Sequence, residues 1–264
     1  MSGRILTGLY VPGDRPDRFE KAIATGAQLV IIDLEDAVAP ARKALARDET
    51  VAWLTGRDWE RGPVIQVRVN AGDDADLAAL SAARVPVEIR LPKVESTAQL
   101  DQVAADSPGL PITALVETAI GVENAVAIAA HPAVTRVALG ESDLRADLGS
   151  ADPALVEYLR VRILIASRAA RLAAPMLSAY PGIPDLAGLR ADTERGRALG
   201  WVGRAAVHPS QLAVIASVFA SEESELTWAR EVLAAIGAGG VARLASGEMV
   251  DAAMVRRARE LLED

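Results

Sequence analysis

The sequence contains no cysteine, only two histidines and few aromatic residues, and each shortage excludes a class of protein. Without cysteine there is no disulfide, no thiolate metal site and no cysteine nucleophile. Two histidines without cysteine argue against a catalytic zinc site. Aromatic residues form 3% of the chain and hydrophobic residues 51%, so the predicted core is aliphatic.

Long apolar runs and a net positive charge are also missing. No segment approaches the roughly 18 consecutive apolar residues of a transmembrane helix, so no membrane span is predicted. The start of the chain is interrupted by Pro12 and Gly13, which is too broken for a signal peptide, and we expect a soluble, cytoplasmic protein. A formal net charge of −8 disfavours nucleic acid or an anionic membrane as the main partner.

The sequence alternates between apolar runs rich in valine and isoleucine and segments with helical patterning. Such runs are typical of strands buried on both faces of a parallel sheet. Strands are predicted at Ile5–Val11, Leu29–Leu34, Val64–Val69, Val87–Leu91, Ile112–Val116, Val134–Leu139, Pro175–Ala179 and Trp201–Val207. Eight strand–helix units in about 220 residues predict an α/β protein with a TIM (β/α)8 barrel. The alternative, a doubly wound sheet, usually stops at five or six strands.

The last part of the chain differs from the barrel pattern. We predict a catalytic barrel domain over residues 1–221 and a C-terminal helical extension over residues 222–264. The extension begins with a helix at Ser224–Ile236, continues through a glycine-rich break at Gly237–Gly240 and ends in a helix that reaches Glu263. It could pack on its own barrel or contact a neighbouring subunit.

Charged residues lie at or after the ends of four of the predicted strands. Glu35 and Asp36 come after the second strand, Arg68 lies at the end of the third, Glu117 follows the fifth and Asp143 comes shortly after the sixth. Because the carboxyl ends of parallel strands meet at one end of the fold, these side chains are predicted to share a site.

Glu117 and Asp143 are predicted to bind Mg²⁺. Two carboxylates that leave positions open for water and substrate oxygens suit a cation that prefers octahedral oxygen coordination. The alternative pairs each carboxylate with a nearby arginine as a structural ion pair. Gly121 and Gly140 leave room around the two acids, and this favours the metal.

Arg68 is predicted to bind a substrate carboxylate through both arms of its guanidinium. Its alternative role is to neutralise the neighbouring acids. Glu35 and Asp36 are too many acids for one small cation, so we predict that they hold metal-bound waters and orient Arg68. Lys93, after the fourth strand, is predicted to be a charge partner rather than a Schiff-base lysine, because acids crowd it.

Basic residues follow the first strand, at Arg15, Arg18 and Lys21. They form either a solvated helix face or a contact to the phosphates of a nucleotide-like group. The phosphate-loop and dinucleotide-binding motifs are absent from the sequence. His208, after the eighth strand, fits either the rim of the site or a structural hydrogen bond.

An ordered set of motifs extends along nearly the whole chain. It comprises Val11–Phe19, Asp33–Val38, Val67–Asn70, Leu91–Ser96, Val116–Thr118, Gly140–Leu144, Val207–Gln211 and Gly247–Asp251. In this set the sequence resembles the citrate lyase β-subunit-like branch of the HpcH/HpaI aldolase family. One departure is Gly140-Glu141-Ser142-Asp143, which replaces the commoner Gly-Ala-Glu-Asp and moves an acid by one residue.

The resemblance implies a homotrimeric TIM barrel that makes or breaks a carbon–carbon bond beside a coenzyme A thioester. It implies that Glu117 and Asp143 bind Mg²⁺ and that Arg68 binds a 2-oxo acid. It also implies that Asp251 reaches into a neighbour's site as the acid–base. The alternative is that Asp251, directly before Ala252 and Ala253, only caps the last helix. Coenzyme A would contact the basic residues Arg15, Arg18 and Lys21.

The expected function is therefore a Mg²⁺-dependent lyase or synthase for a 3-hydroxyacyl-CoA thioester such as citramalyl-, malyl- or citryl-CoA. Its products would be acetyl-CoA and a 2-oxo acid or glyoxylate. Three alternatives remain open. They are the β subunit of a citrate lyase that needs an acyl-carrier partner, an aldolase for free 4-hydroxy-2-oxo acids, and a thioesterase for malyl-CoA-like substrates.

Overall fold

The computed structural model describes residues 4–60, 62–221, 223–236, 242–244 and 247–262. One compact unit comprises residues 5–218, and a second comprises Arg4 with the described residues from Phe219 onward. The domain boundary between residues 221 and 222 stays a prediction. The predicted glycine-rich break at residues 237–240 lies outside the described residues, as do residues 241, 245 and 246 of the segment after it.

The first unit is built on a parallel β-sheet. In the described part of the chain this sheet has seven strands in the order β6-β5-β4-β3-β2-β1-β7. Most of their residues are buried, as the aliphatic runs predict. The strands are β1 (Thr7–Pro12), β2 (Leu29–Asp33), β3 (Val64–Arg68), β4 (Glu88–Leu91), β5 (Ile112–Val116), β6 (Val134–Leu139) and β7 (Arg204–Ala206).

The predicted strand at Pro175–Ala179 is reduced to a single parallel bridge between Leu177 and Arg204. Leu177 donates its N–H to the carbonyl of Gly203 and accepts from the N–H of Ala205, each at 3.0 Å. Seven of the eight predicted strands are thus confirmed, whereas the segment at Pro175–Ala179 is too irregular to form a ladder. Pro175 contributes to this because it has no N–H to donate.

Helices follow the strands, as the sequence predicts. The sequence predicts Ser96 as a helix cap, and its side chain caps α4 by accepting from the N–H of Gln99 at 3.4 Å. The helices of this part of the chain are α1 (Phe19–Ala24), α2 (Lys43–Thr55), α3 (Asp74–Ala83), α4 (Thr97–Asp106), α5 (Ala119–Glu123), α6 (Ala125–Ala129), α7 (Glu141–Asp147), α8 (Pro153–Ala169), α9 (Leu186–Leu199) and α10 (Leu212–Phe219), with 3-10 turns at Pro16–Arg18, Pro40–Arg42 and Pro209–Gln211.

Three helical regions differ from the prediction. Sequence patterning predicts one helix at Arg15–Thr25 and another at Val122–Ala130. The first starts as a 3-10 turn, and the second is divided into α5 and α6 at Asn124. The Asn124 side-chain amide donates to the carbonyl of Glu95 at 2.7 Å, so the break is anchored. Helix α7 was not predicted at all, although it carries Asp143.

The second unit contains α11 (Glu223–Ala235), α12 (Ala252–Leu262) and a two-stranded antiparallel pairing of β8 (Ala242–Arg243) with β9 (Met249–Val250). The first predicted helix of the extension is confirmed to within one residue at each end, and the second is confirmed as far as Leu262. Its own core is formed by Ala229, Val232, Leu244, Val250, Val255 and Ala258. Among all described residues, no helix is long and apolar enough to cross a membrane.

Candidate metal and substrate site

The carboxyl ends of β2 and β3 bring a carboxylate and a guanidinium together. Asp33 and Arg68 are register partners in the parallel ladder. Arg68 Nε lies 2.8 Å from Asp33 Oδ1, and Nη2 lies 2.5 Å from Oδ2, so the pair is bidentate. Burial opposes the charge of Arg68, but the Asp33 hydrogen bonds and charge raise the Arg68 pKa above its ordinary value. Arg68 is therefore a fixed cation.

The remaining nitrogen of Arg68 faces two further acids. Nη1 lies 3.0 Å from Glu35 Oε2 and 3.2 Å from Asp36 Oδ2. The Glu35 side chain is 7% exposed, whereas that of Asp36 is 60% exposed. The predicted orientation of Arg68 by these acids agrees with this geometry. Asp33 occupies Nε and one N–H of Nη2, and the predicted two-armed grip on a substrate carboxylate stays a prediction.

Glu35 also binds Lys93, which follows β4. Lys93 Nζ donates to Glu35 Oε1 at 2.7 Å, and this hydrogen bond raises the Lys93 pKa. Lys93 is thus a charge partner, the role that the sequence favoured. Glu35 Oε2 is buried, and among the described residues it has no aligned hydrogen-bond donor despite its ion pair with Arg68. This oxygen remains able to accept a hydrogen bond from water or a ligand.

Lys93 has a left-handed backbone, with φ of 51°. A residue with a Cβ adopts this conformation at a cost of about 1–3 kcal/mol when the surroundings enforce it. Here it directs the Lys93 N–H toward Glu117 Oε1, at 2.8 Å, while the side chain reaches Glu35. One strained residue therefore fixes two carboxylates.

Glu117, directly after β5, is 2% exposed. A Cβ at position 140 would collide with the Glu117 carboxylate, so Gly140 provides the space that the side chain occupies. Burial raises the Glu117 pKa to about 7, the Lys93 N–H acts against this rise, and the charges of Asp143 and Glu35 add to it. Binding of a cation would reduce the repulsion between this buried acid and the neighbouring acids.

Asp143 is half-buried in the first turn of α7. Its charge acts on Glu117, so the two carboxylates predicted to bind metal belong to one electrostatic site. Within the described residues, no group of three or more His, Cys, Asp or Glu side chains is arranged to hold a metal. Two carboxylates fit Mg²⁺, which usually keeps several waters and takes one or two protein carboxylates. The unsatisfied Glu35 oxygen also fits such an ion, because it can accept a hydrogen bond from a metal-bound water.

The basic residues after β1 are spread over an exposed turn. Arg15 donates to Asp17 through Nε at 2.9 Å and Nη2 at 3.0 Å, and Lys21 Nζ lies 3.8 Å from the same carboxylate. Arg18 is exposed on the 3-10 turn. Exposed ion pairs of this kind contribute little to stability, so another anion can readily replace the aspartate. The phosphate-binding role of these residues stays a prediction.

Asp251 caps the N-terminus of α12. Its Oδ1 accepts from the N–H groups of Ala253 and Met254, each at 2.9 Å, and the residue is exposed. This arrangement gives Asp251 a structural role in the second unit. Its predicted role as the acid–base of a neighbouring subunit stays a prediction.

His208 has a structural hydrogen bond, one of the two roles that the sequence left open. Its Nδ1 accepts from the Ser210 N–H at 3.2 Å, and the Gln211 side chain accepts from the N–H of His208 at 3.3 Å. This reciprocal arrangement is a capping box at the start of the turn Pro209–Gln211.

Sequence reasoning missed two groups that support the site. Asp33 was treated as part of an apolar strand, although a charge inside such a run is itself a signal. The second is Lys43, whose Nζ donates to the carbonyls of Leu34 at 3.1 Å and Glu35 at 2.9 Å and also contacts the side chain of Asn70. Lys43 holds the backbone that presents Glu35, a role that spacing could not reveal.

A polar layer lies below Arg68 inside the sheet. The Arg68 guanidinium carbon is 5.4 Å from the centre of the Tyr10 ring, and that of Arg90 is 5.6 Å from the same ring. Arg90 donates to Gln66 Oε1 at 3.0 Å, and Gln66 donates to Thr113 Oγ1 at 2.9 Å. These contacts link side chains of β1, β3, β4 and β5 and support Arg68.

The parallel α/β sheet, with a guanidinium and several acids at its carboxyl ends, has the arrangement of α/β enzymes. The family model described as HpcH/HpaI aldolase/citrate lyase matches residues 6–209. The chain belongs to this family, which is a family of carbon–carbon lyases, and the resemblance found in the sequence is confirmed.

Three relatives illustrate the range of the family. A (3S)-malyl-CoA thioesterase of Cereibacter sphaeroides is 38% identical over 234 residues, covering 86% of this chain and 81% of the relative. An L-malyl-CoA/beta-methylmalyl-CoA lyase of the same species is 30% identical over 298 residues, covering 96% and 92%. The crystal structure of protein CitE from Mycobacterium tuberculosis with magnesium, acetoacetate and coenzyme A has a TM-score of 0.84 and 33% identity, covering 99% of this chain and 98% of that chain.

Proposed function

We propose that the protein is a Mg²⁺-dependent carbon–carbon lyase or synthase for a 3-hydroxyacyl-CoA thioester such as malyl-, citramalyl- or citryl-CoA. The observation that carries this proposal is buried Glu117, with Asp143 acting on it electrostatically. The names of the relatives support the substrate class, because two of them act on malyl-CoA and the similar crystal structure contains magnesium, acetoacetate and coenzyme A.

In this proposal Glu117 and Asp143 hold the metal. Bound Mg²⁺ supplies Lewis-acid polarisation of the oxygen that becomes the carbonyl of the 2-oxo acid or glyoxylate. Glu35 and Asp36 accept hydrogen bonds from the surrounding waters and keep Arg68 oriented. Lys93 keeps Glu35 and Glu117 in place through its ammonium and its backbone N–H.

Arg68 binds the carboxylate of the 2-oxo acid through Nη1. Asp33 holds the other two nitrogens, so the guanidinium cannot rotate and the carboxylate is fixed in one orientation. The exposed Asp36 carboxylate lies at Nη1 in this structure and would give way to the ligand.

Cleavage requires a balanced movement of two protons. The substrate hydroxyl gives its proton to solvent water, the bond between its carbon and the thioester α-carbon breaks, and the electron pair remains on the thioester as an enolate. The α-carbon then gains a proton to give acetyl-CoA. Asp251 of a neighbouring subunit is the proposed acid–base at this carbon, and it works in the opposite direction during synthesis.

The proposal includes an assembly and a cofactor-binding surface. We infer a TIM barrel in which the segment around Leu177 takes the place of the eighth strand. We also infer a homotrimer, because Asp251 belongs to the C-terminal extension and is proposed to act in a neighbour's site. Arg15, Arg18 and Lys21 are the proposed contacts to the phosphates of coenzyme A, since they form an exposed basic group after β1.

Thioester hydrolysis is a second candidate. It is favoured by the malyl-CoA thioesterase relative, which is 38% identical. The two candidates share the metal site and the substrate class, but they differ in the bond that breaks. A thioesterase yields free coenzyme A and the hydroxy acid, whereas a lyase yields acetyl-CoA and a keto acid or glyoxylate.

The test incubates the protein and Mg²⁺ with malyl-, citramalyl- and citryl-CoA and quantifies the products by mass spectrometry. We expect acetyl-CoA together with an equal amount of the matching carbonyl acid from one of these thioesters. The control is the same protein in EDTA. Free coenzyme A with intact hydroxy acid would favour the thioesterase. Cleavage of free 4-hydroxy-2-oxo acids alone, or activity only with an acyl-carrier protein, would overturn the proposal.

Arg68→Lys tests the carboxylate contact. Lysine keeps the positive charge but cannot serve Asp33, Glu35 and a ligand at once. We expect the affinity for pyruvate in the presence of Mg²⁺ to fall by about 1 kcal/mol or more, which is about fivefold or more. Calorimetry measures the change, and Arg190→Lys, at a half-exposed pair with Glu194, is the matched control. Parental affinity in Arg68→Lys would show that Arg68 serves only as a counter-ion to the acids.

A further inference from the structure

We propose that Glu141 and Arg160 are positioning residues that hold helix α7 and thereby set the affinity of the site for its divalent cation. This inference rests on the proposed metal site, because α7 carries Asp143. It concerns residues that the proposed mechanism does not use. It also gives a role to Glu141, the acid by which this chain departs from the commoner sequence motif.

Glu141 begins α7 and turns toward α8 instead of joining the other acids. Arg160 of α8 donates to Glu141 through Nε to Oε1 at 2.8 Å and through Nη2 to Oε2 at 3.0 Å. The Arg160 side chain is 2% exposed and that of Glu141 is 13% exposed, so water competes little with the pair. A bidentate, buried pair of this kind fixes direction as well as distance.

The same guanidinium extends the contact to a third helix. Arg160 donates to Asp192 of α9 through Nη1 at 3.2 Å and Nη2 at 2.8 Å. Asp192 also pairs with Arg204 of β7, which is 1% exposed. Burial opposes the charge of Asp192, but Arg160 and Arg204 hold the pKa of Asp192 well below its usual range. The first turn of α7 is therefore tied to α8, α9 and the sheet by permanent charges.

The other end of α7 is tied to the segment that bears Glu117. Asp147, the last residue of α7, accepts from the backbone N–H of Ala119 at 2.7 Å. Ala119 is two residues after Glu117 and begins α5. Helix α7 is thus held at both ends, and these two attachments fix where Asp143 lies relative to Glu117. Supporting contacts of this sort change metal affinity by about 10- to 100-fold when they touch a ligand directly.

The network depends on Glu141, an acid that the commoner sequence motif lacks at this position. The commoner motif has alanine at the position of Glu141, and alanine cannot accept a hydrogen bond from Arg160. Loss of the Glu141 charge would also leave Arg160 with fewer acceptors, in a buried position where an incompletely paired cation is costly. A substitution of Glu141 or Arg160 is therefore expected to have two consequences: it lowers stability and it displaces Asp143.

The test separates these two consequences by measuring Mn²⁺ affinity by electron paramagnetic resonance together with Tm. The variants are Glu141→Gln, which keeps the shape, and Arg160→Lys, which keeps the charge but loses the fork. Arg162→Lys is the control on the same helix, where the side chain is 36% exposed and lies 3.8 Å from Glu123. Leu54→Ala, at a fully buried position of α2, is the control for a general loss of stability.

We expect Glu141→Gln and Arg160→Lys to bind Mn²⁺ about 3- to 10-fold more weakly than the parent, a smaller change than at a direct ligand contact. Arg162→Lys and Leu54→Ala should bind it as the parent does, although the latter has a lower Tm. If either network variant fails to fold, the other carries the test. Parental affinity in the folded network variants, or an equal loss in Leu54→Ala, would overturn the inference. Absence of Mn²⁺ binding in the parent would instead refute the proposed metal site.

Discussion

Glu117→Gln and Asp143→Asn are each expected to abolish Mg²⁺ binding and turnover while the protein remains folded. Each substitution keeps the size of the side chain but replaces a charged oxygen ligand by a weaker, neutral one. A bound metal at about 100 times its Kd stabilises the parent by about 2.7 kcal/mol, so Mg²⁺ should raise the Tm of the parent and leave that of both variants unchanged. Thermal unfolding with and without Mg²⁺ measures this difference.

The metal-free proteins provide a further distinction. Glu117 is buried near like charges, so its replacement by glutamine removes an unfavourable charge at pH 8. We expect metal-free Glu117→Gln to be at least as stable as the metal-free parent, which would show that the glutamate is retained for binding and not for folding. Glu123→Gln, at a side chain that is 77% exposed, is the matched control. An unchanged Mg²⁺ response in both site variants would falsify the metal assignment.

Asp251→Asn is expected to lower kcat by about 100- to 10,000-fold, the range for loss of a general acid–base. Asparagine is as good an N-cap as aspartate, so the hydrogen bonds to the N–H groups of Ala253 and Met254 can persist and α12 should stay intact. The substitution therefore removes the proton-transfer group but not the cap. Unchanged circular dichroism, Tm and Mg²⁺ affinity, together with lost turnover, would support the catalytic role.

A mixing experiment tests whether Asp251 acts between subunits. Asp251→Asn and Glu117→Gln are each inactive in the proposal, and they are refolded together to form mixed oligomers. Subunits that lack Asp251 retain an intact metal site, and a Glu117→Gln neighbour can supply its own Asp251 to that site. Partial recovery of activity is expected. If mass spectrometry shows mixed oligomers but activity stays absent, Asp251 does not work in trans.

The regular part of the fold could be predicted because it depends on local patterns. Each of the seven observed strands of the parallel sheet overlaps a predicted strand, since a strand covered on both faces has apolar residues at most positions. The segment at Pro175–Ala179 has a similar composition but forms only one bridge. Composition specifies burial, whereas ladder formation also depends on the geometry of the neighbouring strands.

The sequence predicts several residues of the candidate site but few of the contacts between them. Strand ends located Glu35, Asp36, Arg68 and Glu117 because parallel strands share one carboxyl edge. The contact between Arg68 and Asp33 was missed, since a residue of a buried run is normally assigned to the core. Its identification requires the register of β2 against β3, which is a tertiary property.

Local composition and an ordered set of motifs are sufficient to predict the α/β class, the aliphatic core, the family and the residues at the ends of the strands. The pairing of the charges depends on tertiary packing. In the folded chain two nitrogens of Arg68 bind Asp33, Glu141 turns toward Arg160, and Lys93 adopts a left-handed conformation that directs its N–H to Glu117. A buried charge takes the partner that the packing of distant segments brings within hydrogen-bond distance, and sequence spacing does not record that distance.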